Sequence, residues 1–496
     1  MNYPECLQYL TDLGHELRGV NFGLETISSL LAYLGSPQEK YPTAIVAGTN
    51  GKGSTSAMLA SILRRAGYRT GLYTSPHLVR VNERIRVNGA EISDEDFAGA
   101  FTQVRHAAEH LLAEKKLVQL PSFFEFLTAA AFLHFACAGV EFAVLEVGMG
   151  GRLDATNVTD PRVAIITNID LDHMEYLGTT PAAIAAEKAG VIKLHRPVIS
   201  TCDHAEAAEV IRHRCAELQA DLLETAHGAE LQNLQSLNGH YTFDLCLNSD
   251  RFTALRSPLL GRFQVNNAVA AAAAALRLAR EGFDIPRQAI VEGLRCAAWP
   301  GRLEPVCNRP LVLLDGAHNP AAARKIADFI RRELSGRRLR LVYASMRDKA
   351  IDEISTILFP LAEEVYLTRP RQSRAATPEE ILAAARIHPR GLFLDPEPAR
   401  ALDRACRASA PEDVVLVAGS LFLVGAIKQS LLEKQLSPAP DGKGLRVVPN
   451  GTRLSPESHS MGLRPAPGVT GLCPAADGAG LRREPAVSPT AVGRPA

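Results

Sequence analysis

A glycine-rich stretch in the first part of the chain carries the residues best suited to binding phosphate. It has the sequence GTNGKGS over residues 48–54 and follows an apolar run typical of a buried strand. In such a turn backbone N–H groups can bind phosphate oxygens, the next helix adds its positive end, and Lys52 can reach the outer phosphates. The strict phosphate-loop pattern has Gly in place of Val46 and Ser or Thr in place of Gly53, so a plain strand-to-helix turn stays the alternative.

Two further residues at the ends of apolar runs could ligate a metal ion. Glu146 ends a strongly apolar run, where a parallel sheet places its ligands. A carboxylate there favours Mg²⁺, which takes one or two carboxylates together with phosphate oxygens; pairing with a core arginine is the alternative. His173 follows another apolar run beside Asp170 and Asp172, but a histidine that only forms hydrogen bonds is the commoner case.

Lys188 lies among alanines in a helical pattern. A lysine in that setting usually extends its amine to solvent. If the side chain instead points inward, its charge must be neutralised, paired or modified, because burying an ammonium group is costly.

A last group of charged residues follows a Pro-Gly interruption near residue 300. Arg302 can hold a phosphate through two parallel N–H donors. Asp315 and His318 come after the next apolar run, so we expect both at the carboxyl edge of a second sheet, facing the cleft. Either could instead be a cap or turn residue, because the Asn-Pro pair that follows is a common helix start.

Apolar runs that alternate with helical patterns predict the elements holding these groups. Strands are predicted at 44–47, 142–147, 163–167 and 198–200, a hairpin at 240–259, and an alanine-rich helix at 268–279. A second series has strands at 311–314, 339–343, 365–367, 392–394 and 414–417, with a helix at 321–334. Such alternation is typical of mostly parallel sheets covered on both faces.

The predicted fold class is therefore α/β. The chain has 496 residues, a length that fits two domains. We expect a phosphate-loop-type, mostly parallel sheet domain over 1–297, a linker over 298–303, and a smaller Rossmann-like α/β domain over 304–435. Residues 436–496 are rich in Pro, Gly, Ser and Ala with few large apolar side chains. They cannot bury enough surface to offset ordering entropy, which predicts a disordered tail.

Composition excludes several classes of partner. Lys plus Arg and Asp plus Glu both number 54, so no overall field favours nucleic acid or an anionic membrane. The nine cysteines include no CxxC pair, which indicates reduced thiols rather than a zinc site or a disulfide framework. The first residues lack the basic and apolar regions of a signal peptide, and we expect a cytoplasmic protein without nucleic-acid or membrane partners.

Together these residues resemble the folylpolyglutamate synthase and dihydrofolate synthase family, within the Mur ligase superfamily of ATP-dependent amide-forming ligases. The matching segments occur in family order and span about residues 20–430: GTNGKGS (48–54), TSPHL (74–78), ERI (83–85), SFFE (122–125), EVGMGGRLDATN (146–157), DHMEYLG (172–178), EKAGVIK (187–193), GR (301–302), DGAHNP (315–320) and GSLFLVG (419–425). GRLDATN together with DGAHNP is highly specific. The family's loop also has Gly after the lysine, which accounts for Gly53.

The resemblance implies a role for each motif residue, with Lys52, Lys188 and His318 as catalytic candidates. ATP phosphates and nucleotide would be bound by Gly51, Lys52, Gly53, Ser54, Asn267, Arg302 and Asp315. Two Mg²⁺ ions would be coordinated by Ser75, Glu146, His173 and Lys188, the last carried as an N6-carboxylate made by CO₂ addition. His318 would lie near the incoming glutamate or the γ-phosphate. The pterin pocket would be lined by Ser122, Phe123, Phe124, Glu125, Leu153, Asp154 and Ala155.

The implied activity is ATP-dependent ligation of L-glutamate to a carboxylate of dihydropteroate or a reduced folate, through an acyl phosphate and by a monomer. One rival is a peptidoglycan-precursor Mur-type ligase; it predicts an extra N-terminal domain, for which a loop starting at Gly48 leaves no room. A second rival is a P-loop ATPase or kinase. It would need only the loop and Glu146, and it leaves Arg302 and the 315–318 segment unexplained.

Overall fold

The computed structural model describes residues 1–14, 23–237 and 239–436, which form three sheets with covering helices. The strands β1 to β17 are Thr43–Ala47, Thr70–Tyr73, Ile85–Val87, Ala90–Glu91, Phe142–Glu146, Val163–Ile166, Val198–Ser200, Leu222–Glu224, Ala229–Leu237, His240–Leu247, Asp250–Ser257, Glu304–Asn308, Leu311–Leu314, Leu339–Tyr343, Glu364–Leu367, Gly391–Leu394 and Val414–Ala418.

The α-helices α1 to α16 are Tyr3–Asp12, Glu25–Tyr33, Lys52–Arg65, Asp94–Ala113, Phe123–Cys137, Met174–Leu177, Pro181–Ala189, Ala205–Glu217, Thr225–Gly228, Arg262–Arg280, Arg287–Arg295, Pro320–Glu333, Ile351–Leu358, Pro378–Ala384, Pro398–Arg407 and Leu421–Leu436. Short 3₁₀ turns lie at Pro37–Glu39, Val81–Arg84, Ala155–Val158 and Phe359–Leu361.

The first sheet has the strand order β4-β3-β2-β5-β1-β6-β7-β8. From β2 to β8 the neighbouring strands run parallel, and Val46 pairs with Glu146 on one side and with Ile165 on the other. Strands β3 and β4 are antiparallel additions at one edge. Because parallel strands end at the same edge, the segments that follow β1, β5 and β6 meet there.

Alternate side chains of β1 pack on opposite faces of this sheet. Ala44 and Val46 belong to the core formed with α3, α10 and α11. Ile45 and Ala47 belong to the core formed with α7 and α8. Both faces of the sheet are therefore covered, as the apolar runs predicted.

A small antiparallel sheet, ordered β11-β10-β9, packs on the α3 and α10 side of the first sheet. Strands β10 and β11 pair up to Leu247 and Asp250, so the hairpin predicted around residues 248–250 is confirmed. Strand β9 was not predicted.

The second half contains a six-stranded sheet ordered β12-β13-β17-β14-β15-β16, parallel except for β12. Leu313 and Leu341 pack against α12 and α13 on one face, whereas Val312 and Val342 pack against α15 and α16 on the other. The predicted fold class, a phosphate-loop-type sheet followed by a smaller Rossmann-like α/β unit, is confirmed.

The boundaries predicted for the domains, at 297, 303 and 435, stay a prediction. The tail predicted from 436 lies outside the described residues from 437 onward. Within the described part of the chain, no helix has the length and apolar character needed to cross a membrane.

Candidate active site

The phosphate loop lies between β1 and α3 and is fixed by the segment that follows β6. The Thr49 N–H donates to the Asn168 carbonyl oxygen (2.8 Å), and the Asn50 N–H donates to Asn168 Oδ1 (2.7 Å). The Thr167 hydroxyl donates to the Asn50 carbonyl oxygen (2.7 Å). These bonds hold the loop in one conformation and leave the N–H groups of the first turn of α3 without helical partners, as at any helix start.

Asn267 of α10 lies directly against the loop. Gly51 has a φ of 87°, and a β-carbon there would lie 2.6 Å from Oδ1 of Asn267. The Asn267 amide in turn donates to Gln264 (2.9 Å), which fixes its orientation. Both the backbone conformation and the close approach therefore require glycine at position 51.

Two lysine amines converge on the start of the loop. Lys52 Nζ donates to the carbonyl oxygens of Gly48 (3.1 Å) and Thr49 (3.2 Å), and Lys188 Nζ donates to that of Gly48 (2.9 Å). Lys188 is only 4% exposed, so it points inward rather than to solvent. Burial, reinforced by the positive charge of Lys52, lowers the pKa of Lys188 to about 7.

Glu146 is buried at the end of β5, beside the loop. Its Oε2 accepts the N–H of Ser75, the second residue after β2, at 3.1 Å. Burial raises the pKa of Glu146, while Lys52, the Ser75 N–H and Arg302 act in the opposite direction. Glu146 and Ser75 are therefore neighbours, as the predicted metal site requires.

His173 directly precedes α6 and has a φ of 51°. Burial lowers its pKa to about 4, which leaves a neutral imidazole able to ligate a metal. No cluster of three His, Cys, Asp or Glu side chains suited to a metal occurs among the described residues. The donor set still fits Mg²⁺, because that ion needs only one or two carboxylates besides phosphate and water oxygens.

Asp172 connects the first half of the molecule to the second. Its carboxylate accepts from Lys349 Nζ (2.9 Å) and Asn319 Nδ2 (3.0 Å), and its Oδ2 lies 3.6 Å from His318 Nε2. Asn319 also donates to Asn50 of the loop (3.1 Å). Burial alone would raise the pKa of Asp172, but the contacts with His318 and Lys349 hold it below its ordinary value.

Asp315 fixes the linker to the start of the second sheet. Its Oδ2 accepts the N–H of Leu303 (2.8 Å), and its Oδ1 accepts the N–H of Ala317 (2.7 Å). Burial raises its pKa, with Arg302 and these N–H groups opposing the rise. Both carboxylate oxygens therefore already accept backbone N–H groups. This is the role of a turn residue, the alternative that the sequence allowed for Asp315.

The Arg302 side chain packs against the DGAHNP segment at Gly316. Its Nη1 donates to the Gly301 carbonyl oxygen (2.9 Å), which also accepts the Gly316 N–H (2.9 Å). A β-carbon at Gly316 would lie 2.6 Å from that Nη1, so glycine leaves the room that the guanidinium occupies. Arg302 thereby faces the cleft from the second half.

The SFFE segment begins α5. Glu125 Oε2 accepts from the N–H and the hydroxyl of Ser122, each at 2.8 Å, while the Glu125 N–H donates to Ser122 Oγ (3.3 Å). This is a capping box, so both residues have a structural task. Phe124 covers Gly148, where a β-carbon would lie 2.6 Å from its Cζ. The Phe123 ring instead packs against Arg84, 5.4 Å from its guanidinium carbon.

Asp154 organises the EVGMGGRLDATN loop from inside. The buried carboxylate accepts the N–H of Met149 (3.0 Å) and both the N–H (3.0 Å) and the hydroxyl (2.6 Å) of Thr156. Burial raises its pKa despite these bonds. Leu153 and Ala155 flank it on the cavity side.

A cavity of about 470 Å³ lies between the two halves, and its walls include every site residue predicted from the sequence except Phe123. The residues that the sequence did not single out include Asn50, Asn168, Lys325, Lys349 and Arg374. Lys349 lies between β14 and α13, where no motif or periodicity marks it. The functional roles assigned to the predicted residues stay predictions.

Residues 46–275 match the Mur ligase middle domain, and residues 301–421 match the Mur ligase glutamate ligase domain. A phosphate-loop sheet and a second α/β unit that share one cavity thus define a Mur-type ligase. The chain is 36% identical over 416 residues to a dihydrofolate synthase/folylpolyglutamate synthase of Bacillus subtilis, covering 83% of this chain and 96% of that protein. The chain belongs to the folylpolyglutamate synthase/dihydrofolate synthase family.

Solved structures of relatives have the same fold. Escherichia coli FolC in complex with DHPP and ADP is 32% identical with a TM-score of 0.78, covering 88% of this chain and 99% of that one. Mycobacterium tuberculosis folylpolyglutamate synthase complexed with ADP and AMPPCP is 31% identical with a TM-score of 0.80, covering 86% and 99%. The family predicted from the motifs is therefore confirmed.

Proposed function

We propose that this chain is an ATP-dependent ligase that joins the amine of L-glutamate to a carboxylate of dihydropteroate or a reduced folate. The observation that carries the proposal is the cavity between the halves, where Lys52, Glu146 and Arg302 meet. It is supported by the relatives named as folylpolyglutamate and dihydrofolate synthases, one of them solved with DHPP and ADP.

The first step is activation of the acceptor carboxylate. A carboxylate oxygen attacks the γ-phosphorus of ATP, a new O–P bond forms, and the bond to the β–γ bridging oxygen breaks, releasing ADP. This chemistry needs charge neutralisation and in-line positioning more than covalent help from the protein. Lys52 on the loop side and Arg302 on the linker side are placed to supply that charge.

The second step forms the amide. The glutamate amine attacks the carbonyl carbon of the acyl phosphate, and the tetrahedral intermediate expels phosphate as the nitrogen loses its proton. Water must be excluded from the acyl phosphate meanwhile. The contacts of His318, Asn319 and Lys349 with Asp172 hold the second half over the loop. For His318, which lines the cavity, we propose a contact with the incoming glutamate.

For metal binding we propose Ser75, Glu146, His173 and a carboxylated Lys188 as ligands of two Mg²⁺ ions. Bound Mg²⁺ supplies neutralisation of phosphate charge. The uncharged Lys188 amine adds to CO₂ and loses a proton, which gives an anionic carbamate. Its position inside the protein, against the Gly48 carbonyl, supports this modification.

The acceptor is proposed to bind where Phe124 covers Gly148 and Asp154 lies below the loop. The aromatic side chain of Phe124 suits a flat pterin ring, and Asp154 supports this wall through the Met149 and Thr156 groups that it accepts from. We propose that the enzyme acts as a monomer. A cytoplasmic location stays a prediction.

The test of this function is release of ADP and phosphate measured with glutamate and with dihydropteroate or tetrahydrofolate. Release should require both glutamate and an acceptor, and comparison of the two acceptors assigns the activity as dihydrofolate synthase, folylpolyglutamate synthase or both. ATP hydrolysis that proceeds at full rate without either would contradict a ligase. Added EDTA should stop ligation, and excess Mg²⁺ should restore it.

Substitution Lys52→Ala provides the residue-level test. We expect ligation to fall by about 10²- to 10³-fold, the range lost when a preorganised electrostatic donor is removed from an active site. Lys40→Ala is the matched control, since Lys40 is exposed on the surface. Near-normal turnover of Lys52→Ala would contradict the assigned role of the loop.

A further inference from the structure

Trp299 is the single tryptophan of the chain and packs directly on the start of α3. A β-carbon at Gly53 would lie 2.8 Å from Nε1 and 2.9 Å from Cζ2 of its indole ring. The ring therefore occupies the space that any larger residue after Lys52 would need. Arg86 of strand β3 also contacts the ring, with its guanidinium carbon 5.6 Å from the indole centroid.

Trp299 is not part of the cavity wall, whereas Gly53 and Arg302 are. The indole packs against the core of the first half, together with α3, α10 and α11. Its expected influence on the reaction therefore passes through the residues that it holds.

Arg302 follows Trp299 by three positions and is held from the other side. The chain turns at Gly301, whose φ is 73°. The Gly301 N–H donates to Glu304 Oε2 (2.8 Å), and Glu304 is paired with Lys428 of α16 (2.7 Å). One end of this short segment is thus anchored to the second half, and Trp299 anchors the other end to the phosphate loop.

We infer that Trp299 is a positioning residue that keeps Arg302 in register with the phosphate loop and couples nucleotide binding at the loop to the linker. The inference rests on the proposed function. It also explains Gly53 in place of the Ser or Thr of a strict phosphate loop, because a side chain there would displace the indole. The loop and the linker arginine then act as one unit on the nucleotide.

The intact protein offers a direct readout, because its tryptophan emission comes from this contact alone. We expect saturating ADP with Mg²⁺ to shift or quench the emission, while calorimetry measures ADP binding independently. Binding without any change in emission overturns the coupling and leaves the proposed function standing. Failure of ADP to bind overturns both.

The second test is a double-mutant cycle with Trp299→Leu and Arg302→Ala. Trp299→Leu should lower kcat/KM for ATP by about 10- to 100-fold, the range expected when a reacting group is misplaced by an ångström. The KM for glutamate should change by a smaller factor than kcat/KM for ATP. In the Arg302→Ala background the same substitution should have little further effect; effects that simply multiply would overturn the inference.

Two controls separate positioning from folding. Phe283→Leu removes an aromatic side chain packed on the same core, away from the loop, and should lower the melting temperature without changing KM for ATP. Trp299→Phe keeps a ring against Gly53 and should recover most of the ATP kinetics. If Trp299→Phe and Trp299→Leu lose only stability, in the manner of Phe283→Leu, Trp299 is a core residue and the inference fails.

Discussion

Two buried cations, one in each half of the molecule, have opposite surroundings. Arg340 of β14 is 5% exposed, and its guanidinium binds Asp413 (2.7 Å) and Glu364 (2.8 Å). Lys188 of α7 is 4% exposed, yet its amine donates to the Gly48 carbonyl, and no ion pair with a described carboxylate forms. Burial alone would lower the pKa of both side chains. For Arg340, the hydrogen bonds and charges of Asp413 and Glu364 outweigh burial and raise the pKa, whereas the pKa of Lys188 stays lowered.

The difference distinguishes a buried charge that is paired within the chain from one that is not. A charge inside a protein is tolerated when it is paired and hydrogen-bonded, and Arg340 meets that condition within the chain itself. Lys188 does not, and it lies in the cavity beside Lys52. A strongly perturbed group in a cleft is a candidate for chemistry, which agrees with the carboxylation proposed for this lysine.

Substitution Lys188→Met should produce the largest effect on this comparison. Loss of the proposed metal-ligating carbamate should reduce ligation by about 10²- to 10³-fold, as for other lost charge-stabilising groups. The melting temperature should stay equal or rise, because an incompletely paired buried amine is replaced by an apolar side chain. A variant with substantial activity, or one that fails to fold, would place Lys188 with the structural charges.

The converse result is expected for Arg340→Met. Removing one partner of a buried ion pair leaves Asp413 and Glu364 uncompensated and should destabilise the protein by about 3 kcal/mol. The folded fraction should keep near-normal kcat and KM, since Arg340 does not line the cavity. Urea unfolding and steady-state kinetics on the same sample check both parts. A large loss of kcat with unchanged stability would erase the distinction.

Acid should act on the paired site rather than on the site beside the loop. Burial works to raise the pKa of Asp413, but the Ala410 N–H, Arg340 and Arg338 outweigh it and hold the value below the ordinary one. A depressed carboxyl pKa contributes stability that is present above the unfolded value of about 3.9 and is lost as pH falls through the folded value. We expect the urea midpoint to fall less steeply below pH 4 in Asp413→Asn than in the wild type. The Lys188→Met variant should lose its urea midpoint with pH as steeply as the wild type does.

The smallest effect concerns CO₂. Because the pKa of Lys188 is lowered to about 7, the neutral amine that can add CO₂ grows as pH rises through 7 and disappears below it. In CO₂-depleted buffer near pH 7 the ligation rate should drop several-fold and recover with bicarbonate, and recovery should weaken at pH 6. Arg340→Met should show the same response as the wild type. A rate independent of CO₂ at every pH would contradict carboxylation.

Sequence patterns predicted the strands that are buried on both faces. The runs at β1, β5, β6, β14 and β17 are mostly apolar and buried at every position, so few other structures could bury them. Strand β9 was missed because it is mostly exposed and polar, and its only guide is pairing with β10. Pairing between segments leaves no trace in a local pattern of this kind.

For the candidate site, the motifs located most of the cavity wall but not how each side chain is used. Whether Lys188 faces solvent or the loop depends on the packing of α7 against the first sheet, which alanines on all sides do not reveal. Asp315 and Asp154 were proposed as substrate contacts, and the structure shows that backbone N–H groups already engage both. Lys349 was missed since a lone lysine on a loop carries no signal.

The meeting of Lys349, Asn319 and His318 on one carboxylate has a kinetic consequence. All three contacts to Asp172 are between 2.9 and 3.6 Å, so a hinge motion of a few ångströms would break them in concert rather than one by one. If partial opening keeps none of their stabilisation, a closed and an open form would be discrete populations. Each turnover would then contain one all-or-none gating event, and its frequency, rather than bond making, would set the ceiling on product escape.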